Sequence, residues 1–247
     1  MLPALIVVGL VAGLTASVFG VGGGIVMVPL LIGLLDYDAK RATATSLAAI
    51  IFTAVVGAAA HGALGNVDWD RGLLIGIPAM LGVTIGVAIK DRISSRALTL
   101  AFAGLMVLVA VRIGLGPSAD PVDFSLPAEV LLVTALGITA GIVAGLFGVG
   151  GGIVFVPTLV VVLGMEQLSA EATSLLAIIP VAVLGSWQNT ARGAVMWNHA
   201  LLIGAVSVVS AVAGALIADA APVSALQTGF AALLLATAAQ LVWQARR

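Results

Sequence analysis

Two stretches of this chain carry residues whose spacing points to chemistry: "FGVGGGIVMVP" (Phe19–Pro29) and "FGVGGGIVFVP" (Phe147–Pro157). Each glycine destabilises a helix by roughly 1 kcal/mol relative to alanine, so three in a row, twice, mark places where the chain opens. Gly22, Gly23 and Gly24 immediately precede the apolar arm Ile25–Leu35, and Gly150, Gly151 and Gly152 precede Ile153–Leu163. The start of a helix presents unpaired N–H groups and the positive end of the helix dipole. Glycine adds no Cβ to keep a ligand away. Two such ends converging form an anion site that needs no Arg or Lys. The arms bear no charged side chain, which argues against a cation path, where membrane-buried Asp or Glu is expected. No Lys-Ser/Thr follows the glycines, so the motif is not a P-loop, and the βαβ context of a dinucleotide fingerprint is absent. The competing reading of the triplets is a purely structural turn. Gly9-Gly13-Ser17 and Gly137-Gly141-Gly145 follow the small-xxx-small pattern of packed membrane helices.

Hydroxyl pairs recur beside the glycines. Thr45-Ser46 and Thr173-Ser174 occupy equivalent places, where they either cap helix starts or donate to the same anion from the flanks. His61 faces Gln188-Asn189 in the equivalent position of the second copy. By counting, His61 and Asn189 fall near the far ends of their segments, a setting typical of interfacial polar residues. His61 also titrates near neutral pH, which makes it the first candidate for proton coupling. Trp69 and Trp197 read as interface anchors. The chain has no cysteine and two histidines, so thiol chemistry is excluded, and no metal site and no cofactor are expected. The apolar segments hold no carboxylate pair or Ser-His-Asp set, so an enzyme is disfavoured. A net charge of −1 implies no nucleic-acid partner.

The elements that hold these residues belong in a lipid bilayer. Hydrophobic residues make up 62% of the chain and charged ones 9%, too few to cover a soluble surface, where about 25% is usual. An all-α integral membrane protein is predicted. A shift of 128 positions (Phe19 onto Phe147) superposes the chain on itself without a gap: Pro29 onto Pro157, "ATSLAAII" (44–51) onto "ATSLLAII" (172–179), Trp69 onto Trp197, Phe102 onto Phe230. The chain therefore divides into repeats 1–115 and 129–247, joined by a polar linker at 116–128. Each repeat reads as a glycine-tipped helical hairpin followed by three membrane segments, near 43–61, 72–89 and 97–113, then 172–190, 199–218 and 224–243. The apolar N-terminus lacks the basic start of a signal peptide and has an internal copy, so it belongs to the fold.

Charge sets the orientation. Lys and Arg in short loops stay cytoplasmic. If each hairpin leaves the membrane on the side it entered, Lys40, Arg41, Lys90, Arg92, Arg96, Arg192, Arg246 and Arg247 share one face. The linker, Glu166, Glu171 and Asp219 take the other, with Arg71 and Arg112. Both termini are then cytoplasmic, the linker is outside, and the homologous halves run in opposite directions, as inverted repeats do. The return arm of 11 residues (25–35) measures about 16 Å at 1.5 Å per residue, half the ~30 Å of hydrocarbon. The hairpins are thus expected to be re-entrant, with the GVGGG tips meeting near the midplane. Backbone at that depth must be buried in protein or line a cavity.

The doubled "GVGGGxxxVP", each copy followed by "ATSLxAI" and later by "GxVxW" (65–69 and 193–197), resembles the sulfite exporter TauE/SafE family, also called the TSUP family, over nearly the whole chain. The resemblance implies a multi-pass transporter of the cytoplasmic (inner) membrane for small sulfur-containing or organic anions, such as sulfite, thiosulfate, sulfonates and some carboxylates. The expected partners are a small anionic substrate and the lipid bilayer. The alternatives are an anion channel of the same architecture or a carrier of small carboxylates. The orientation has a direct test in this Cys-free chain: Ser118→Cys is expected to react with an impermeant maleimide added outside intact cells. Labelling only from the cytoplasmic side contradicts the inverted arrangement.

Overall fold

The computed structural model describes residues 2–114 and 126–246. The linker assigned to 116–128 therefore lies almost wholly outside the described residues, although a helix is already under way at Leu126. The described residues form helices α1 (Leu2–Phe19), α2 (Gly24–Leu35), α3 (Ala39–Ala63), α4 (Trp69–Arg92), α5 (Ser95–Gly114), α6 (Leu126–Phe147), α7 (Gly152–Val161), α8 (Gln167–Ala191), α9 (Trp197–Ala220) and α10 (Val223–Ala245). Eight are long and apolar enough to cross a membrane by length and composition, and α2 and α7 are the two short ones. The helices after each hairpin extend by one to five residues past the apolar segments at their two ends. Polar and charged residues continue the helix wherever backbone hydrogen bonds can still close, as at Asp68, whose side chain accepts from the Arg71 N–H at 3.0 Å and caps α4.

The hairpins pack on the opposite halves. α1 lies along α9, and α6 along α4; these are the two most extensive helix contacts. The small-residue stripes make them possible. A Cβ on Gly13 would strike the Ser207 backbone in α9, and one on Gly141 would strike the Ala79 carbonyl in α4. With hydrogen in place of Cβ, backbones touch, and close backbone contact supplies dispersion where lipid provides no hydrophobic drive. α3 and α8 run through the centre, touching each other, and α3 also packs on α9 while α8 packs on α4. One core cluster draws on both halves, from Leu5 to Leu241.

This packing separates two kinds of glycine. Gly13→Ala and Gly141→Ala are each expected to cost about 1–3 kcal/mol by overpacking. Gly104 of α5 has nothing within 4 Å of an added Cβ, so Gly104→Ala is expected to be neutral or stabilising by up to ~1 kcal/mol. Thermal unfolding of the purified variants in one detergent checks the contrast, and equal midpoints contradict it.

Candidate functional site

The two glycine turns share one backbone geometry. Gly22 and Gly23 have φ of 73° and 82°, and Gly150 and Gly151 have 77° and 95°, in the left-handed region that costs glycine little. Gly23 is the N-cap of α2, and its carbonyl accepts from the amides of Val26 and Met27 at 3.1 and 3.0 Å. Gly151 does the same for Val154 and Phe155 at 2.9 and 3.0 Å. The amides of Gly24, Ile25, Gly152 and Ile153 then sit in first turns, where no intrahelical acceptor exists.

The turns meet. A Cβ on Gly24 would lie 2.5 Å from the Gly148 carbonyl oxygen and 2.6 Å from Val149 Cα. A Cβ on Gly152 would lie 2.5 Å from Val21 Cα and 2.6 Å from the Gly20 oxygen. The contact is reciprocal: what Gly24 meets in the second half, Gly152 meets in the first. Ile50 and Ile178 close over it. A Cβ on Gly22 would come 3.0 Å from Ile50 Cγ2 and 3.5 Å from Ile178 Cδ1, and one on Gly150 would come 2.8 Å from Ile178 Cγ2 and 3.3 Å from Ile50 Cγ2. These two isoleucines stand at equivalent places in the repeat but drew no attention in the sequence, where they look like ordinary core residues. Thr53, which donates to the Gly22 carbonyl at 2.8 Å, was also missed; its counterpart is Val181, so the repeat does not mark it.

The hydroxyl pairs sit against this crossing but are engaged with protein. Ser46 Oγ donates to the Gly148 carbonyl at 2.8 Å, and Ser174 Oγ donates to the Gly20 carbonyl and lies 2.9 Å from the Glu171 carbonyl. Thr45 Oγ1 accepts from the Met196 amide at 3.2 Å, and Thr173 Oγ1 accepts from the Asp68 amide at 2.9 Å. None of the four caps its own helix, because α3 and α8 begin at Ala39 and Gln167 and place all four in the interior. Each serine instead latches the opposite half's glycine turn to the central helix, and each threonine holds the loop that leads into the opposite half's next helix.

His61 and Asn189 are fully buried within the protein. Their helices run to Ala63 and Ala191, and neighbouring helices cover these last turns. His61 Nε2 bonds the Ser17 carbonyl at 2.9 Å, and its Nδ1 has no partner. Since a carbonyl only accepts, Nε2 carries the hydrogen. Asn189 Nδ2 donates to the Gly185 carbonyl at 2.8 Å, and its Oδ1 accepts from Lys90 Nζ. Lys90 is buried rather than a loop charge, because α4 continues to Arg92 and carries it into the bundle. Glu171 is buried for the matching reason: α8 starts at Gln167, so the residue read as an outer loop acid lies in a helix turn. Gln188 departs from the group and donates to Thr84 Oγ1 on α4 at 2.8 Å. Trp69 is largely exposed and Trp197 half-exposed at the starts of α4 and α9.

Charges gather at two places. Lys40 Nζ donates to the Asp91 carbonyl at 2.9 Å, and Arg192 Nε pairs with the Asp91 carboxylate at 2.7 Å. Asn66 donates to the Asp219 carboxylate at 3.0 Å. A groove of about 490 Å³ between α4 and α8, lined by residues such as Ile77, Met80, Pro180 and Trp187, is apolar and suits a lipid chain rather than an anion.

The family model described as "Sulfite exporter TauE/SafE" matches residues 5–241. The chain belongs to this family. TauE/SafE relatives of similar length include the probable membrane transporter protein YunE of Bacillus subtilis, 29% identical, with 81% of this chain and 82% of the relative aligned. A probable membrane transporter protein of Haemophilus influenzae is 30% identical, over 94% and 95% of the two chains, and one of Xylella fastidiosa is 26% identical over 96% and 93%. No solved structure matches. This TauE/SafE chain is a multi-pass membrane transporter.

The serine latches give a paired prediction. Ser46→Ala and Ser174→Ala each leave a buried turn carbonyl short of its donor, at a cost of about 1–3 kcal/mol. Because the contacts are reciprocal, the two variants are expected to lose similar thermal stability. A loss at only one site, or at neither, contradicts the latch.

Proposed function

We propose that this protein is a secondary transporter, working as an exporter, that carries a small sulfur oxyanion or sulfonate such as sulfite across the cytoplasmic membrane through the crossing of its two glycine turns. The observation that carries this reading is the reciprocal contact of the turns at the starts of α2 and α7. Two helix N-termini converge there with no charged side chain on either arm, an arrangement that favours anions. A compact oxyanion offers several acceptor oxygens to the first-turn amides of Gly24, Ile25, Gly152 and Ile153. The hydroxyls of Ser46 and Ser174 act on it through the turns they hold, with Thr45 and Thr173 fixing the loops behind.

On this reading the two halves are inverted, and a two-fold axis in the membrane plane would bring the crossing to the midplane. The basic cluster of Lys40, Lys90 and Arg192 around Asp91 supports a single cytoplasmic face, with both termini on that side. The Asn66–Asp219 contact supports an opposite, acidic face. Direct contact between the turns, closed over by Ile50 and Ile178, favours a carrier whose turns must part over a standing channel.

Calorimetric titration of the purified protein with sulfite, thiosulfate, sulfate, methanesulfonate and acetate tests the reading. At least one sulfur oxyanion or sulfonate is expected to bind, and Gly24→Val or Gly152→Val is expected to weaken it by ten- to a hundred-fold, about 1.4–2.8 kcal/mol. Ile50→Ala with Ile178→Ala is expected to raise passive anion leak in vesicles. Unchanged affinity in both glycine variants places the site elsewhere, and binding of acetate alone overturns the substrate class.

A further inference from the structure

The two halves share their glycines, serines and threonines at the crossing, but not their titratable groups. Among the described residues the buried titratable side chains are His61, Lys90 and Glu171. Their counterparts under the repeat are Asn189, Ala218 and Thr43. Every buried titratable group thus stands where the repeat is broken.

Two of the three flank the same turn. His61 Nε2 holds the Ser17 carbonyl of α1. Glu171 backs directly onto Gly20, since a Cβ there would run into the Glu171 backbone, and Ser174 Oγ spans the Gly20 and Glu171 carbonyls. Gly20 in turn touches Gly152, so Glu171 stands one residue layer behind the crossing. Glu171 is 1% exposed. Its Oε1 accepts from Gln167 Nε2 at 2.7 Å, while Oε2 is buried and has no partner. Ser17 Oγ and His61 Nδ1 are likewise buried and unpartnered. Three orphaned polar atoms therefore surround residues 17–20. At the three equivalent positions no atom is orphaned: Gly145 has no side chain to satisfy, Asn189 is bonded through both ends of its amide, and Thr43 donates to the Lys40 carbonyl at 2.9 Å, while Ser186 Oγ, one turn from Asn189, is a buried hydroxyl without a partner.

No ion pair to Glu171 is formed among the described residues. α1, α2, α7 and α10 carry no titratable side chain, and α6 carries only Glu129 at its far end. The end of α3 brings His61, with Lys40 and Arg41 at its opposite end; the start of α4 brings Asp68, Asp70 and Arg71, and the end of α9 brings Asp219. Glu166 lies on the approach to α8. Arg71 is paired with Asp68 at 3.6 Å. An ionised carboxylate buried beside an anion path repels the anion. Anion loading and ionisation of Glu171 then oppose each other, and by linkage each anion loaded favours a proton on Glu171.

We propose that Glu171 is the proton-binding residue of transport, taking up a proton when the anion loads behind the first glycine turn and releasing it when the anion leaves. This rests on the anion-carrier reading above. The charges balance: a dianion accompanied by one proton crosses as a net monoanion, so an inside-negative potential still drives it outward.

Glutamate occurs three times in the chain, at positions 129, 166 and 171. Protein labelled with 13C-glutamate and reconstituted in lipid nanodiscs therefore gives three side-chain carboxyl signals. Glu171→Gln assigns the buried one. If that variant does not fold, Glu129→Gln and Glu166→Gln assign it by elimination. Saturating thiosulfate, or whichever sulfur anion binds in calorimetry, is expected to raise the titration midpoint of the Glu171 signal by about one pH unit relative to chloride, a tenfold coupling. The other two signals stay in place. In vesicles loaded with a pH dye, a thiosulfate gradient is expected to move protons in the wild type. Glu171→Gln is expected to keep thiosulfate exchange and lose the proton movement, and Glu171→Asp to restore it. An anion that binds without moving the Glu171 midpoint overturns this inference alone. A panel in which no anion binds overturns the carrier reading and this inference with it.

Discussion

Backbone against backbone at the crossing of the two glycine turns is the contact on which the rest of the structure depends. Gly24 and Gly152 each lie too close to the opposing turn for any side chain. Left-handed glycines at 22–23 and 150–151 bring the chain into that position and start α2 and α7 there. Everything around the crossing serves to hold it. The hairpins pack on the opposite half, with α1 on α9 and α6 on α4, so neither turn can be placed without the other half. Ser46 and Ser174 then tie each turn to the opposite half's central helix. Opened backbone is costly in lipid unless it is buried in protein, and the interlocked halves bury it and supply donors to the Gly20 and Gly148 carbonyls.

Much of this was legible in the sequence. The repeat, the glycine triplets, the short return arms and six of the eight long apolar helices follow from spacing and hydropathy, and the small-residue stripes at Gly13 and Gly141 mark close helix contacts; α1 and α6, read as arms of re-entrant hairpins, are also long and apolar enough to cross a membrane. What the sequence hid was burial at the helix ends. Lys90 looks like a loop charge because it follows the apolar run 72–89, and Glu171 because it precedes the run 172–190, yet α4 and α8 carry them into the bundle. The serines read as caps or ligand donors because their acceptors, the Gly148 and Gly20 carbonyls, lie more than a hundred residues away in the chain. No local pattern encodes such a pairing; it emerges only from the interlock.

Symmetry and its breaking divide the labour. What both halves share (glycines, serine latches, Ile50 and Ile178) forms the crossing and its closure. What they do not share (His61, Lys90 and Glu171) is where charge enters the interior. In the carrier we propose, a symmetric closure would let the same parts open toward either side, and one-sided titratable groups would give the two openings different electrostatics. An uncompensated buried charge is expensive, and the repeat itself shows that the scaffold accommodates neutral residues at each of these positions.

The central claim is that an oxyanion sits between the two glycine turns. Selenite is close to sulfite in shape and charge and scatters anomalously, and a chain without cysteine offers it no thiol to oxidise. The direct measurement is an anomalous difference map of crystals grown with selenite, using protein that contains ordinary methionine. The account predicts a selenium peak between residues 22–24 and 150–152, within hydrogen-bonding reach of the amides of Gly24 and Gly152. A peak beside Lys90, or in the apolar groove at Trp187, with none at the crossing, contradicts it.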